Sequence, residues 1–247
     1  MNSAFPSVSA KYKNGAIMVA NQRMRGVCSL LEQCFLEPLR GGETIDKKEF
    51  APQTAVPRAA ARAASDANLK LSSYQKKLTG HGKGRYIHRQ LEKMTSTGKR
   101  NKRVCVHPQS ERMFELLQSL RLSVVESEFG VWWDQKRIAT FLDMLAADAA
   151  KRYVPIELKT GYNTIGYLAP KYRLRGAKFR YRYCSERDKH FLQLLMGVIN
   201  LNHSHPNVKC KDAYLIQLPS HTEAFAYSIP DWILESRESV EKCLATS

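Results

Sequence analysis

Residues 154–161 read VPIELKTG. Side chains alternate faces along a strand, so Glu157 and Lys159 point to one side, leaving Val154, Ile156 and Leu158 for the other face or the core. Strand interiors disfavour Glu and Lys. Taking an ion out of water costs several kcal/mol unless something compensates it. A surface-facing charged pair is the plain explanation. The residues upstream offer another. Asp143 lies in RIATFLDML, and a tight turn brings that stretch beside VPIELKTG as an antiparallel neighbour. In the right register Asp143, Glu157 and Lys159 project from one edge of the sheet. Two carboxylates that close repel at neutral pH unless a divalent cation lies between them. Hard oxygen ligands suit magnesium or manganese. A lysine one pleat away can then orient an attacking water or stabilise negative charge developing at phosphorus.

These residues need a scaffold, and the pattern around them supplies one. GVCSLLEQCFLEPL (26–39) has apolar residues at helical spacing and stops near Pro38, with Gly41 and Gly42 beyond. Residues 1–25 read as irregular. APQTAVPRAAARAASDAN (51–68) reads as a linker, with Pro52 and Pro57. Tyr86, Ile87, Leu91 and Met94 form one helical stripe between Gly84 and Gly98, and ERMFELLQSLRL predicts a helix over about 110–121. SVVESEFGVWW and KRIATFLDMLAAD predict strands, SERDKH opens a helix that runs through HFLQLLMGVINL, and DAYLIQL and AFAYSI close as strands. IPDWILESRESVEKCL is a last helix. This order predicts α/β or α+β around one central sheet, with an extension and linker over 1–69 and the main domain over 70–247.

The chain of 247 residues is 43% hydrophobic and 25% charged, enough to bury a core. Its net charge of +16 makes a polyanionic partner the expectation, nucleic acid first and an anionic membrane surface second. No apolar run of about 18 residues is present, so no membrane span is expected. The six cysteines form no CxxC pair and do not cluster with histidine, which points to reduced thiols in an intracellular protein rather than a zinc site or a disulfide framework. Residues 1–31 contain Lys11, Lys13, Arg23 and Arg25 and no acid before Glu32. That composition suits a mitochondrial presequence or a basic arm equally.

An Asp in one strand followed by Glu-x-Lys in the next, here Asp143 and Glu157-Leu158-Lys159, resembles the PD-(D/E)xK nuclease superfamily. GRYIHRQLE (84–92) resembles the Gly-x-x-x-His helix of its RecB-like members, with His88 at the metal-ligand position. HFLQLLMGVINL resembles the helix carrying the family's Gln motif, matched by Gln193. The four motifs fall in order over about 80–218. The chain departs from the pattern at Thr140 and Gly197, where members often carry Gly and Tyr, and it lacks the four-cysteine iron–sulfur staple of some relatives. The pattern resembles a RecB-type exonuclease, similar to the mitochondrial genome maintenance exonucleases.

The resemblance implies a restriction-endonuclease-like α/β core, a central mixed sheet flanked by helices. It implies a nuclease using Mg2+ or Mn2+ on DNA in replication, recombination or repair, in mitochondrion or nucleus. Asp143, Glu157, His88 and the Leu158 carbonyl would hold the metal. Lys159 would activate water, and Gln193 would hold the lysine's neighbourhood or a DNA phosphate. Glu128, one strand earlier, could face the same site. A catalytically inactive nucleic-acid-binding module of the same fold is the rival reading. Two basic runs suit a DNA track. One surrounds His88, with Lys83, Arg85 and Arg89. The other, Lys171, Arg173, Arg175, Lys178, Arg180 and Arg182, is interleaved with aromatics. Of Trp132 and Trp133, one is expected in the core, while the other could stack on a base. Replication or repair proteins are further expected partners.

Overall fold

Two long strands, β6 (Ser123–Trp133) and β7 (Ile138–Ala147), form an antiparallel pair, and this hairpin anchors the central sheet. A single 3-10 turn over Asp134–Lys136 joins them and closes at Arg137, whose φ of 54° lies in the left-handed region. The computed structural model describes residues 9–39, 59–60, 73–78, 80–97, 106–160, 169–175, 182–208, 210, 212–219 and 223–246. β8 (Tyr153–Thr160) runs antiparallel to β7, and β11 (Tyr214–Leu218) runs parallel to β8. β12 (Phe225–Ser228) and the two-residue β5 (Ala59–Ala60) extend that side. The sheet is therefore mixed. A smaller sheet joins β4 (Leu36–Pro38), β9 (Pro170–Leu174) and β10 (Tyr183–Ser185).

Within residues 1–25, expected to be irregular, the chain forms strands instead: β1 (Ala10–Lys13), β2 (Ala16–Val19) and β3 (Gln22–Gly26), the last running one residue into the expected helix. β3 then adds to β7 in parallel, pairing Arg25 with Ile138 and Gly26 with Ala139. Their pattern was faint because each strand is only four or five residues long. The helix expected over 26–39 is α1 (Val27–Cys34); it stops early because β4 leaves at once to pair with β9.

Helices cover both faces. α3 (Gly80–Thr97) and α4 (Pro108–Ser119) bury Ile87, Leu91, Met113 and Leu116 against Ile156, Leu158 and Ile216. On the other face α5 (Glu186–Ser204) buries Phe191, Leu195 and Ile199 with Leu30 and Leu31 of α1 and with Leu215. Leu215 and Ile216 are consecutive yet belong to opposite cores, as strand alternation requires. α2 (Ser73–Lys76) precedes α3. The single terminal helix expected is two, α6 (Asp231–Glu235) and α7 (Arg237–Thr246), separated at Ser236, whose hydroxyl donates to the Ile233 carbonyl at 2.6 Å.

α5 starts on a capping box. Ser185 accepts from the Asp188 N–H, and the Asp188 carboxylate accepts from the Ser185 N–H at 2.9 Å. Where α5 crosses β7, Gly197 permits a close approach: a Cβ there would stand 2.7 Å from Leu142 Cδ2. Among the described residues no helix is long and apolar enough to cross a membrane, and the described cysteines, 28, 34, 184, 210 and 243, are free thiols.

Candidate functional site

The edge of β7 has two partners with a gap between them. β3 pairs with Ile138 and Ala139, and β8 with Met144 to Ala147. Asp143 stands in the gap. Alternation also breaks there. Leu142 lies against α5, whereas Met144, two residues on, belongs to the core under α3 and α4. A regular strand would keep both on one face. The main-chain N–H of Leu158 meets the break by donating to Asp143 Oδ2 at 2.6 Å. Opposite on β6, between the pairs Ser127↔Met144 and Phe129↔Leu142, Glu128 takes a φ of 52°. For a residue with a Cβ this conformation costs on the order of 1–3 kcal/mol and collects at functional sites.

α3 brings His88 to this gap. Its Nδ1 lies 3.6 Å from Asp143 Oδ1 and 3.9 Å from Glu128 Oε1. One donor atom from each of the three lies within 4.8 Å of the others. Burial opposes a charge on His88, but Glu128 and Asp143 outweigh it and raise the imidazole's pKa. Glu128, given less weight from the sequence alone, is thus as close to His88 as a ligand set needs. Nothing in the sequence marks its left-handed backbone.

Glu157 lies deeper, 3% exposed, on the α5 face. Lys159 Nζ donates to its Oε1, and Gln193 Nε2 donates to the same oxygen at 2.7 Å. Burial pushes the Glu157 carboxyl upward and the Asp143 charge adds to that, while Lys159 and His88 pull the other way. Two groups result, His88 with Asp143 and Glu128, and Glu157 with Lys159 and Gln193; the Leu158 N–H on Asp143 and the charges of Asp143 and His88 felt at Glu157 link them. The donor set fits a hard divalent cation. Its close-set members are the Asp143 and Glu128 carboxylates and the His88 imidazole, oxygen donors and one nitrogen within 4.8 Å of one another. Cys28 borders the site from α1. Its side chain is exposed, and desolvation of the thiolate together with the Glu157 charge raises its pKa.

The expected DNA-contacting residues separate into groups. Arg85 and Arg89 are exposed on α3, and Lys83 is half-buried, with burial lowering its pKa. In the second run, Lys171 lies 3.6 Å from Glu186, Arg173 sits over the Tyr183 ring, and Arg175 donates to the Gln33 carbonyl at 3.2 Å. Arg182 stacks 4.2 Å over the Trp232 ring. These four are held in part by the protein itself. Lys178 and Arg180 lie outside the described residues. Trp132 is buried, and Trp133 stacks face to face on His203 at 3.8 Å, so a protein ring already covers one face of the candidate base-stacking residue.

No protein-family model matches the sequence, and no curated protein matches it.

Proposed function

We propose that the protein is a metal-dependent DNA nuclease of the PD-(D/E)xK type with a restriction-endonuclease-like core, acting as a RecB-like exonuclease. The observation that carries this reading is the convergence of Asp143 on β7, Glu157 and Lys159 on β8, and His88 on α3, fastened by the bond from Leu158 N to Asp143.

Asp143, Glu157 and His88, with the Leu158 carbonyl and Glu128, are the groups that would hold Mg2+ or Mn2+. When bound, such an ion activates water and offsets charge at the phosphoryl group. Lys159 positions the attacking water and adds positive charge where the phosphorus centre becomes more negative. Gln193 fixes the Glu157 carboxylate so that Lys159 keeps one orientation. Arg85 and Arg89, on the same helix as His88, lie where a DNA strand entering the gap would need phosphate partners. DNA maintenance in the mitochondrion or the nucleus is the matching cellular role.

The test is cleavage of end-labelled single-stranded, blunt, tailed and circular DNA with magnesium, manganese or EDTA. Degradation of linear but not circular DNA, dependent on the metal and absent in Asp143→Asn, is expected. DNA binding without cleavage under every metal condition would leave the non-catalytic binding module as the correct reading.

A further inference from the structure

β1, β2 and β3 form a small sheet with two unlike faces. Tyr12, Ile17 and Met24 lie in one cross-strand row. Ile17 and Met24 are buried with Trp132 and Ala139, and Tyr12 stacks on Phe141 at 5.1 Å. The next row is Lys11, Met18 and Arg23, and it must face the opposite way. Lys13 and Arg25 share that outer face by alternation. Lys11, Lys13, Arg23 and Arg25 are all exposed, and residues 9–26 contain no Asp or Glu. The surface continues across the strand edge. A depression of about 390 Å³ is lined by Arg23, Met24, Arg25, Lys136 and Arg137. Arg25 holds this junction, its main-chain N–H donating to the Arg137 carbonyl at 2.7 Å and its side chain reaching the Lys136 carbonyl at 3.4 Å.

Lys11, Lys13, Arg23 and Arg25 stand on strands that hold no acid, and Lys136 and Arg137 join them from a turn whose one acid is Asp134, so the surface is cationic in balance. Such a surface is costly for a protein standing alone and complementary to a polyanion. Its position narrows the choice. Arg25 is level with Ile138, and Asp143 is five residues further along β7, about 17 Å away at about 3.4 Å per residue. The apolar side of the same small sheet rests on Phe141, two residues from Asp143. A phosphate backbone held on the outer face is therefore within a few nucleotides of the gap.

We infer that the β1–β3 sheet, with the β6–β7 turn, is a phosphate-binding platform for the duplex DNA leading away from the gap. The inference rests on the nuclease reading for its choice of DNA but is tested without cleavage. The full chain would be titrated into a fluorescent 30-base-pair duplex in EDTA over a range of salt. Lys11→Gln, Lys13→Gln and Arg23→Gln are combined; their side chains are exposed, so thermal melting should match the wild type. Binding about tenfold weaker, with the slope of log K against log salt shallower by about 2–3, is expected. A control at the far end of the sheet, Arg121→Gln with Lys151→Gln, should change neither quantity. Unchanged binding by the triple variant overturns the inference. So does an equal loss in the control, which would mean net charge alone matters. Loss of binding to phosphatidylserine vesicles with DNA binding intact would assign the platform to lipid and overturn it as well. A protein that binds through this platform yet never cuts would sink the nuclease reading alone.

Discussion

A Cβ built on Gly84 would stand 3.1 Å from Thr160 Oγ1, so α3 meets the end of β8 through a residue with no side chain. One turn further on, the same face carries His88 to 3.6 Å from Asp143. The glycine thus sets how near the imidazole comes to the carboxylate. Gly84→Ala gains about 1 kcal/mol of helix propensity and asks only a small rotation of Thr160. Gly84→Leu must push the helix away. A displacement of 1 Å costs about a hundredfold in rate where geometry is critical. The leucine variant should therefore lose about that much metal-dependent cleavage while remaining helical by circular dichroism. Cleavage at the wild-type rate would show that His88 does not act at the site.

Lys159 and Gln193 both donate to Glu157 Oε1, yet their loss should read differently. On the nuclease proposal, Lys159→Ala removes the charge that would face the phosphoryl group. Cleavage should vanish while DNA affinity in EDTA stays near wild type, because phosphate contacts elsewhere supply most of it. Gln193→Leu leaves a buried carboxylate short of a donor, which costs about 1–3 kcal/mol. That loss appears in urea unfolding as well as in rate. Undiminished cutting by Lys159→Ala would refute its assigned role.

What was legible in the sequence follows from where the physics is local. β6, β7, β8 and α5 are long, apolar-rich segments of eight residues or more, and they formed where expected. Asp143, Glu157 and Lys159 stood out because charges inside strands demand an explanation. Glu128 did not stand out, because its importance comes from a left-handed backbone opposite a break in β7, and neither feature is written in residue type. The β1–β3 strands were missed because Lys and Arg occupy their outer row, and their pairing with β7 joins residues more than a hundred positions apart. The second basic run looked like one DNA track, but Arg173 and Arg182 turn onto Tyr183 and Trp232.

Magnesium should stabilise the fold as well as support cleavage. Burial, and after it the Asp143 charge, raises the proton affinity of Glu157, and a bound cation would oppose both. A cation that binds only the folded state adds about 2.7 kcal/mol at a concentration one hundred times its dissociation constant. Melting temperature should rise with magnesium in the wild type. In Asp143→Asn the rise should disappear, while the melting temperature without metal should be maintained, since asparagine keeps an oxygen for the Leu158 N–H. Equal magnesium shifts in both proteins would place the ion elsewhere.

His190 gives the fold a specific acid sensitivity. It is buried on α5, and burial lowers its pKa to about 2, assisted by the positive charges of Lys159 on β8, Lys189 on its own helix and Lys171 on β9. In the unfolded chain it titrates near pH 6.5. Above that value both states leave it neutral, and it contributes no pH dependence. Below it the unfolded state takes up a proton that the folded state refuses, so stability falls as pH drops towards the folded pKa, by at most about 1.4 kcal/mol per pH unit. His190→Gln fills similar space and cannot titrate. Urea unfolding between pH 4.5 and pH 8 should therefore show a shallower acid loss in the variant and parallel curves above about pH 7. Identical slopes in the two proteins below pH 6 would mean that His190 is protonated in the folded state, with the three lysines turned away from it.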